Sequence, residues 1–348
     1  MAAPKFSEVI DLPKSIEGDV SKAIVAIAEV AILISEIISL GDLQSNLGRE
    51  VGENSDGDNQ KALDVLADEA FMKKLSSSSV SWYASEEQEE VVELNKNGSV
   101  LLAIDPLDGS SNISNNVSIG TIFSLRSARG VNSKKHAREA LLSPGENQLA
   151  AGYVIYGPQT SIILTAGSGV SEYILDKKAK AFTLCRSNIN IPKDSTEYSI
   201  NSSNYRHWSK PMKAYVDDLN LGVEGPAGKN FNMRWVASLV AETHRILSRG
   251  GIFIYPGDNR KGYEKGRLRM VYECAPIAFI IAQAGGGATD IYNNILSVEV
   301  EDLHGRTPFV FGSINEVNRV QVYHDMPGSE VSPLFGRRGL FSTQGGVE

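Results

Sequence analysis

The chain has 348 residues, of which 42% are hydrophobic and 22% charged, and its formal net charge is −8. This composition is ordinary for a globular protein with one large core or two medium domains. The acidic balance argues against nucleic acid or an acidic membrane surface as partner, because such partners require basic patches. The two cysteines, Cys185 and Cys274, are far apart. They therefore argue against a disulfide framework or a cysteine zinc site, and favour a cytoplasmic protein.

An apolar stretch over residues 23–40 predicts a long helix near the N-terminus. Glu29 and Glu36 fall on one face of it, and each charge at mid-bilayer costs about 2.5–3.5 kcal/mol. The uninterrupted apolar runs are also shorter than the ~20 residues that a membrane span needs. We therefore expect a largely buried amphipathic helix and no membrane partner. The N-terminus also lacks the basic region and cleavage site of a signal peptide.

The first half of the chain predicts helices followed by a series of strands. A loop is expected over 41–58, where Gly, Asn, Asp and Glu are frequent, and a second helix over about 59–75. Asp64 and Asp68 lie four residues apart on that helix, and a solvated acidic face is the simplest interpretation of Asp68. Strands are expected at 80–84, 100–104, 119–126, 172–175 and 181–184, with a hairpin over 148–166 and a loop over 127–148.

The second half alternates strands and helices. Strands are expected at 198–201, 252–255, 288–291 and 308–311, and helices at 210–219, 234–249 and 267–284, the last kinked by Pro276. Polar residues and Pro192 interrupt the pattern over 188–196, which predicts a boundary there. We therefore expect an N-terminal subdomain over 1–190, a C-terminal subdomain over 191–335 and a tail over 336–348. The polar chain after Met326 is expected to fray.

The stretch over residues 100–112 carries the strongest chemical signal. Its apolar beginning is typical of a buried strand, and the Asp105-Pro106 step is expected to end that strand, because proline lacks the N–H that a sheet requires. Asp105 and Asp108 then offer two carboxylates, the donors that a hard cation such as Mg²⁺ takes. The Gly-Ser-Ser-Asn that follows leaves backbone N–H groups to face an anion. An isolated Asp-Gly is an ordinary turn, but the whole string is rarer and indicates metal-assisted phosphoryl chemistry.

A second strand also ends in carboxylates, at Glu86 and Glu87. If the two strand ends meet, Glu86, Asp105 and Asp108 repel one another unless cations lie between them. This arrangement predicts a site for more than one metal ion.

These motifs closely resemble class I fructose-1,6-bisphosphatase, of the magnesium-dependent, lithium-sensitive sugar phosphatase superfamily. The similarity runs from about residue 42 to residue 323, and its parts follow the family order. They are Gly57-Asp58 with Lys61 to Asp64, Ser85-Glu86-Glu87, Asp105 to Asn112, Gly120 to Phe123, Gly250 to Pro256, and Tyr272-Glu273-Cys274. The resemblance implies an α/β (α+β) fold, a layered αβαβα sandwich of two subdomains assembled as a homotetramer.

The resemblance also implies a cofactor and a catalytic apparatus. The cofactor is Mg²⁺, two or three ions per subunit, for which Mn²⁺ or Zn²⁺ substitutes. The implied metal ligands are the side chains of Glu86, Asp105, Asp108 and Glu273 and the backbone carbonyl of Leu107. Asp58, Asp64 and Glu87 match residues that position and deprotonate the attacking water, and Asp108, Gly109, Ser110 and Ser111 match those that hold the phosphate being cleaved.

The sugar and its second phosphate match positions in the second half. These positions are Asn201, Asn204 or Tyr205, Arg234, Trp235, Tyr255 and Arg267. Arginine suits a phosphate because its planar guanidinium donates bidentately. The resemblance also implies that Arg234 reaches a neighbouring subunit. Without the resemblance, a core aromatic would explain Tyr255 equally well.

The chain departs from the family at several positions. Arg267 stands where lysine is frequent, Trp235 where animal forms have tyrosine, and Asn204 where the family has a tyrosine, which leaves Tyr205 as its neighbour. Ser99-Val100 replaces the Lys-Tyr of animal enzymes that AMP inhibits, and the nearby arginine is displaced to Arg126. Inhibition by AMP of the animal type is therefore not expected, and the sequence leaves other effectors open.

The implied reaction is hydrolysis of the 1-phosphate of fructose 1,6-bisphosphate, with water activated by Mg²⁺ attacking in line. Sedoheptulose 1,7-bisphosphate and inositol monophosphate are the alternative substrates. A metal-binding regulatory protein that keeps the fold without catalysis is the alternative from another functional class. The arginine and tyrosine set predicts that the substrate carries a second phosphate.

Overall fold

The fold begins with a long helix, a small hairpin and a second helix. The structure, a computed structural model, describes residues 9–43, 47–53 and 59–326. Helix α1 spans Gly18–Leu40, strands β1 (Glu50–Glu53) and β2 (Asn59–Lys61) pair antiparallel, and α2 spans Ala62–Leu75. The predicted loop over 41–58 is therefore wrong at β1, and its residues 44–46 and 54–58 lie outside the described residues.

Helix α2 begins three residues later than predicted because residues 59–61 pair as a strand. The backbone N–H of Lys61 donates to the carboxylate of Asp64 at 2.7 Å, which sets the helix start. Asp64 and Asp68 are both buried, so the prediction of a solvated face for Asp68 is wrong. The physical reason is a neighbouring strand and loop, which cover this face of the helix and donate hydrogen bonds to Asp68.

An eight-stranded sheet follows. Its strands are β3 (Val80–Ser85), β4 (Val92–Glu93), β5 (Val100–Asp108), β6 (Ile119–Ser127), β7 (Ala150–Tyr156), β8 (Thr160–Thr165), β9 (Ser171–Asp176) and β10 (Ala181–Arg186). They lie in the order β10-β9-β8-β7-β6-β5-β3-β4. Strands β3 and β5 are parallel neighbours, so their carboxyl ends meet at one edge of the sheet. The predicted convergence of the two carboxylate-bearing strand ends is thereby explained.

Strand β5 continues past the proline that was expected to end it. It pairs with β6 as far as Asp105↔Ile122 and again at Asp108↔Gly120, with a register irregularity between. The missing N–H of Pro106 falls inside this irregularity, where the ladder is already interrupted. The carbonyl of Pro106 accepts a hydrogen bond from the Thr121 hydroxyl at 2.9 Å. The strand therefore carries both aspartates on one buried segment.

The loop predicted over 127–148 contains helix α3, which spans Lys134–Leu142. Its N-cap is Ser133, whose hydroxyl accepts from the backbone N–H of His136 at 3.3 Å. Ala137 and Leu141 form its buried face. The basic residues of the segment lie on the other face, which is why the apolar pattern is short and the prediction is wrong.

A five-stranded sheet and four helices complete the described fold. Helix α4 spans Lys210–Leu221, α5 Leu239–Arg249, α6 Ala275–Gln283 and α7 Ile314–Asp325. The strands are β11 (Glu197–Ile200), β12 (Asn232–Met233), β13 (Ile252–Tyr255), β15 (Gly287–Thr289) and β17 (Phe309–Gly312), in the order β12-β11-β13-β17-β15, and β14 (Leu268–Arg269) pairs with β16 (Arg306–Thr307).

Two helices of the second half are shorter than predicted, and α7 is not predicted. Helix α5 begins at 239 rather than 234, because Ser238 is its N-cap and accepts from the N–H of Ala241 at 3.4 Å. The helix expected over 267–284 instead comprises β14, a π-helical turn over residues 270–274, and α6. Pro276 therefore lies in the first turn of α6, where proline is well tolerated, and does not kink a longer helix.

The elements form five layers, which confirms the αβαβα sandwich. Helices α1 and α2 pack on one face of the eight-stranded sheet, and α5 and α6 pack on the other. The five-stranded sheet covers the far side of α5 and α6, and α4 and α7 form the outer layer. Separate apolar cores lie between α1–α2 and the large sheet, around α5–α6, and between the small sheet and α4–α7.

Helix α1 is a buried core helix, as predicted. By length and composition alone it could cross a membrane. In the structure, nine of its residues are buried, and it packs on α2 and on strands β5 and β7. Its charged residues make ion pairs, Glu29 with Lys74 at 2.5 Å and Glu36 with Lys180 at 2.7 Å.

Candidate active site

Three buried carboxylates meet where β5 ends. Asp105 and Asp108 come from β5, and Glu273 comes from the π-helical turn that precedes α6. One oxygen of each lies within 4.8 Å of the others. All three residues are buried, so the cluster is enclosed by protein.

Burial and mutual repulsion raise the pKa values of these carboxylates. Burial is the largest cause for Asp105, and the charges of Glu86, Asp108 and Glu273 raise its pKa further. Burial likewise raises the pKa of Asp108 and of Glu273, although hydrogen bonds to backbone N–H groups oppose the shift. Oxygen-only donors that repel one another fit a divalent cation, because Mg²⁺ takes oxygen ligands and offsets their charge.

Asp108 is held by the N-terminus of helix α5. Its carboxylate accepts hydrogen bonds from the Ser238 hydroxyl at 3.2 Å and from the backbone N–H groups of Leu239 at 3.3 Å and Val240 at 2.9 Å. Unpaired N–H groups and the helix dipole both favour a negative charge at this position. These partners were not predicted from the sequence, although Ser238 before an apolar run is a recognisable N-cap signal.

Arg269 is a second site residue that was not predicted from the sequence. Its guanidinium forms an ion pair with Glu86, and its backbone N–H donates to the carboxylate of Glu273 at 2.6 Å. Arg269 is buried, so it carries a positive charge into the cluster. The backbone N–H of Glu86 donates to the carbonyl of Ile104 at 3.1 Å, which keeps Glu86 beside strand β5.

Asp64 is another buried carboxylate, and the charge of Glu87 acts both on it and on Asp105 of the cluster. Burial raises the pKa of Asp64 to about 7, a hydrogen bond from the Lys61 N–H opposes the rise, and the charge of Glu87 adds to it. Its Oδ1 has no hydrogen-bond partner among the residues described. Asp68 is different, since its carboxylate accepts from the Tyr83 hydroxyl at 2.6 Å and from Gln88 at 2.5 Å. Asp58 lies outside the described residues.

The small residues after Asp108 form a tight turn at the edge of the cluster. Gly109 has a φ of 80°, and a Cβ there would lie 3.3 Å from the Cβ of Ser238. A 3₁₀ helix over residues 110–115 follows, which contains Ser110 and Ser111. The backbone N–H of Leu107 donates to the carboxylate of Asp105 at 2.9 Å. The turn therefore presents the backbone of residues 109–111 beside the carboxylates.

Several predicted sugar-binding residues lie together at the end of β13. Asn201, Asn204 and Tyr255 line one small cavity. The hydroxyl of Tyr205 donates instead to Asp217, at 2.9 Å to one carboxylate oxygen and 3.0 Å to the other. The structure therefore brings Asn204, and not Tyr205, beside Tyr255.

Of the remaining predicted residues, Trp235 and Arg267 lie near Tyr255, whereas Arg234 lies beside Glu197. The ring of Trp235 stacks on Phe253 with centroids 6.0 Å apart and lies 6.2 Å from the ring of Tyr255. The side chain of Arg234 is half exposed, with its Nε 3.7 Å from the carboxylate of Glu197. Arg267 lies over the ring of Tyr263 at 4.8 Å.

Arg126, the arginine displaced from the position found in AMP-inhibited animal enzymes, makes hydrogen bonds within the protein. Arg126 is buried, and its Nη1 donates to the hydroxyl of Ser143 at 2.8 Å and to the carbonyl of Pro144 at 2.9 Å. The Ser99 hydroxyl donates to Asp19 at 2.5 Å.

Family models cover both halves of the chain. The model "Fructose-1-6-bisphosphatase, N-terminal domain" matches residues 9–187, and "Fructose-1-6-bisphosphatase, C-terminal domain" matches residues 191–325. The chain belongs to the fructose-1,6-bisphosphatase family. The resemblance inferred from its motifs is thereby confirmed.

Curated relatives place it among the bacterial class 1 members of that family. A "Fructose-1,6-bisphosphatase class 1 1" of Bradyrhizobium sp. is 55% identical over 347 residues, covering 98% of this chain and 99% of the relative. Another of that name, from Cereibacter sphaeroides, is 54% identical over 329 residues, covering 94% and 97%. The crystal structure of Leishmania major fructose-1,6-bisphosphatase in holo form has a TM-score of 0.84 and 36% identity, covering 90% of this chain and 96% of that one.

Proposed function

We propose that this chain hydrolyses the 1-phosphate of fructose 1,6-bisphosphate to fructose 6-phosphate and inorganic phosphate. The observation that carries the proposal is the buried cluster of Asp105, Asp108 and Glu273, in a chain that matches fructose-1,6-bisphosphatases over both halves. Buried carboxylates so close together repel one another when ionised and so favour a cation, and a cation beside the turn of Gly109, Ser110 and Ser111 suits phosphoester hydrolysis.

Asp105, Asp108, Glu273 and Glu86, with the carbonyl of Leu107, would hold the cation. Two or three Mg²⁺ ions are proposed, with Mn²⁺ or Zn²⁺ able to substitute. The chemistry that such a cation supplies when bound is activation of water and neutralisation of phosphate charge. The amide donors of α5 favour the ionised form of the Asp108 carboxylate and would orient it for this role.

Asp64 suits a proton acceptor, because its pKa of about 7 lies near a working pH. Its unpartnered Oδ1 leaves an acceptor atom for the attacking water. Glu87 and Asp58 are proposed to orient that water with it. The backbone of Gly109, Ser110 and Ser111 is proposed to donate to the phosphate being cleaved.

The second half is proposed to hold the sugar and the second phosphate. The proposed set is Asn201, Asn204, Arg234, Trp235, Tyr255 and Arg267, with Asn204 favoured over Tyr205 because of its place in the cavity. The two family matches support a division near residue 190. A cytoplasmic homotetramer, in which Arg234 reaches a neighbouring subunit, is the proposed assembly.

A phosphate-release assay tests this function. With Mg²⁺, we expect turnover of fructose 1,6-bisphosphate to exceed that of sedoheptulose 1,7-bisphosphate and inositol monophosphate, and EDTA to abolish it. Asp108→Asn should lower kcat by about 100-fold or more, because charge stabilisation at the reacting phosphate is lost. Asp194→Asn, on an exposed loop, is the matched control and should retain activity. Release that is unaffected by EDTA, or that survives in Asp108→Asn, would contradict the proposal.

A further inference from the structure

The loop between β13 and β14 places one aromatic ring beside two guanidinium groups. The ring centroid of Tyr263 lies 4.1 Å from the guanidinium carbon of Arg260 and 4.8 Å from that of Arg267. Both distances are within the range of cation–π interactions, in which a cation is attracted to the face of an aromatic ring. Tyr263 is only partly exposed, which lessens the screening of these contacts by water.

Arg260 is committed to the loop itself. Its Nε donates to both oxygens of Asp258, at 3.0 and 3.1 Å, and its Nη2 makes a further ion pair with the same carboxylate. Asp258 thereby neutralises Arg260 and fixes it against the ring. Arg260 therefore supports the ring of Tyr263, and its donors are used by Asp258 and not by a ligand.

The backbone of Tyr263 is the centre of the hydrogen bonds that shape the loop. Its carbonyl accepts from the N–H groups of Asp258 and Gly266, both at 3.0 Å, and its own N–H donates to the carbonyl of Arg260 at 3.0 Å. The N–H of Asn259 donates to the carbonyl of His207 at 3.3 Å, which ties the loop to the 3₁₀ helix that carries Asn204. The backbone of Tyr263 is therefore held in place relative to the 3₁₀ helix that carries Asn204.

Arg267 lies close to the cavity as well as to the ring. Burial raises the pKa of the Tyr255 hydroxyl, and the positive charge of Arg267 opposes that rise. The charge of Arg267 is thus near the hydroxyl of Tyr255, which lines the cavity with Asn204.

We propose that Tyr263 is a positioning residue that holds the Arg267 guanidinium in the orientation that binds the second phosphate. The inference rests on the proposed function, in which Arg267 is a ligand of that phosphate. A guanidinium held over a ring by its positive charge still has the planar fork of N–H donors that binds a phosphate bidentately. Because the Arg267 side chain is already ordered against the ring before substrate binds, less conformational entropy is lost on binding.

Steady-state kinetics of Tyr263→Leu and Tyr263→Phe test this. The leucine variant removes the aromatic face, and we expect its KM for fructose 1,6-bisphosphate to rise about 3- to 30-fold, the range that a cation–π contact contributes. Its KM for fructose 1-phosphate, which lacks the second phosphate, and its kcat should be unchanged. Tyr263→Phe keeps the ring face and should restore the KM, and Tyr292→Leu, at an exposed tyrosine elsewhere, is the matched control.

Arg267→Met separates this inference from the function on which it rests. We expect Arg267→Met to raise KM for the bisphosphate, and Tyr263→Leu to add nothing in that background. If Arg267→Met raises KM but Tyr263→Leu does not, the positioning role of Tyr263 is overturned while the proposed function stands. The same holds if the effects of the two substitutions are additive. If Arg267→Met itself leaves KM unchanged, the assignment of Arg267 to the second phosphate fails, and the positioning role fails with it.

Discussion

Burial raises the pKa of Asp64 to about 7, so this side chain changes charge near neutral pH in the cation-free protein. The native state keeps the proton up to about pH 7, whereas the unfolded chain releases it near pH 3.8. Between these values the native state binds more protons, so the free energy of unfolding falls as the pH rises.

Asp64→Asn should remove this part of the pH dependence. The difference between the two pKa values corresponds to about 4 kcal/mol, which is the ceiling of the effect. Urea unfolding in EDTA at about pH 5 and pH 8 measures it, and the wild type should lose more stability than the variant between the two. Equal losses would show that Asp64 titrates as in the unfolded chain.

Asp105→Asn should separate stability from activity. The variant removes one of the buried carboxylates that repel each other, so the cation-free protein should unfold at a higher temperature than the wild type above neutral pH. Phosphate release should fall by about 100-fold or more, because a proposed ligand of the cation is lost. Thermal unfolding in EDTA and the phosphate assay check the two effects, with Asp194→Asn as control. A lower unfolding temperature would contradict the electrostatic interpretation.

Spacing alone predicts part of this site. Glu86, Asp105 and Asp108 follow strand-like runs, so their convergence could be inferred from the pattern. Glu273 lies far along the chain on a turn with no local signal, and only the family resemblance identifies it. Arg269 is missed because its role depends on reaching Glu86, a contact between distant segments that no sequence period encodes.

At the scale of elements, helix α2 is joined to strand β3 by a buried hydrogen bond. The Tyr83 hydroxyl is fully buried and donates to Asp68, which also accepts from Gln88. The pair fixes the helix against the parallel strands β3 and β5, whose ends carry the site.

Asp68→Ala should therefore destabilise the protein. Tyr83 keeps a buried hydroxyl without this acceptor, which costs about 1–3 kcal/mol in unfolding free energy. Asp68→Asn retains an acceptor oxygen and should lose less. Adding Tyr83→Phe to Asp68→Ala should recover part of the loss. Urea unfolding of the wild type, the three single variants Asp68→Ala, Asp68→Asn and Tyr83→Phe, and the double variant measures it. A double variant that is destabilised by the sum of the single effects would contradict the coupling.

The errors in predicting elements have physical causes. The continuation of β5 through Pro106 depends on an irregularity in pairing with β6, which the sequence of β5 alone does not contain. Helix α3 buries only Ala137 and Leu141, too few residues to show a period. Helix α5 begins at the Ser238 cap, and the helix-like residues 234–238 before it form the segment that connects β12 to α5.

At the scale of the whole molecule, the layer order could be inferred from the resemblance but not from the periodicity. Alternating strands and helices indicate an α/β protein without saying which helices lie between the sheets. That position belongs to α5 and α6, and it brings Asp108 of the large sheet against α5.

Divalent cation should stabilise the whole fold, and more at higher pH. A ligand that binds only the native state at 100-fold its Kd adds about 2.7 kcal/mol to stability. Because burial raises the pKa values of Asp105, Asp108 and Glu273, protons compete with the cation as the pH falls. Thermal unfolding with and without MgCl₂ at about pH 6 and pH 8, with NaCl at matched ionic strength, measures this. A larger Mg²⁺ effect at pH 6 would contradict it.

The hydrogen bonds from α5 to Asp108 have a consequence for a severed chain. A carboxylate on one half is oriented by amides that belong to the other, so neither fragment of a chain cut within residues 188–196 contains the complete machinery. Turnover would return only on fragment complementation, and its dependence on the concentration of each piece would report their affinity. The activity of mixed fragments would therefore measure how tightly the two halves of the molecule associate.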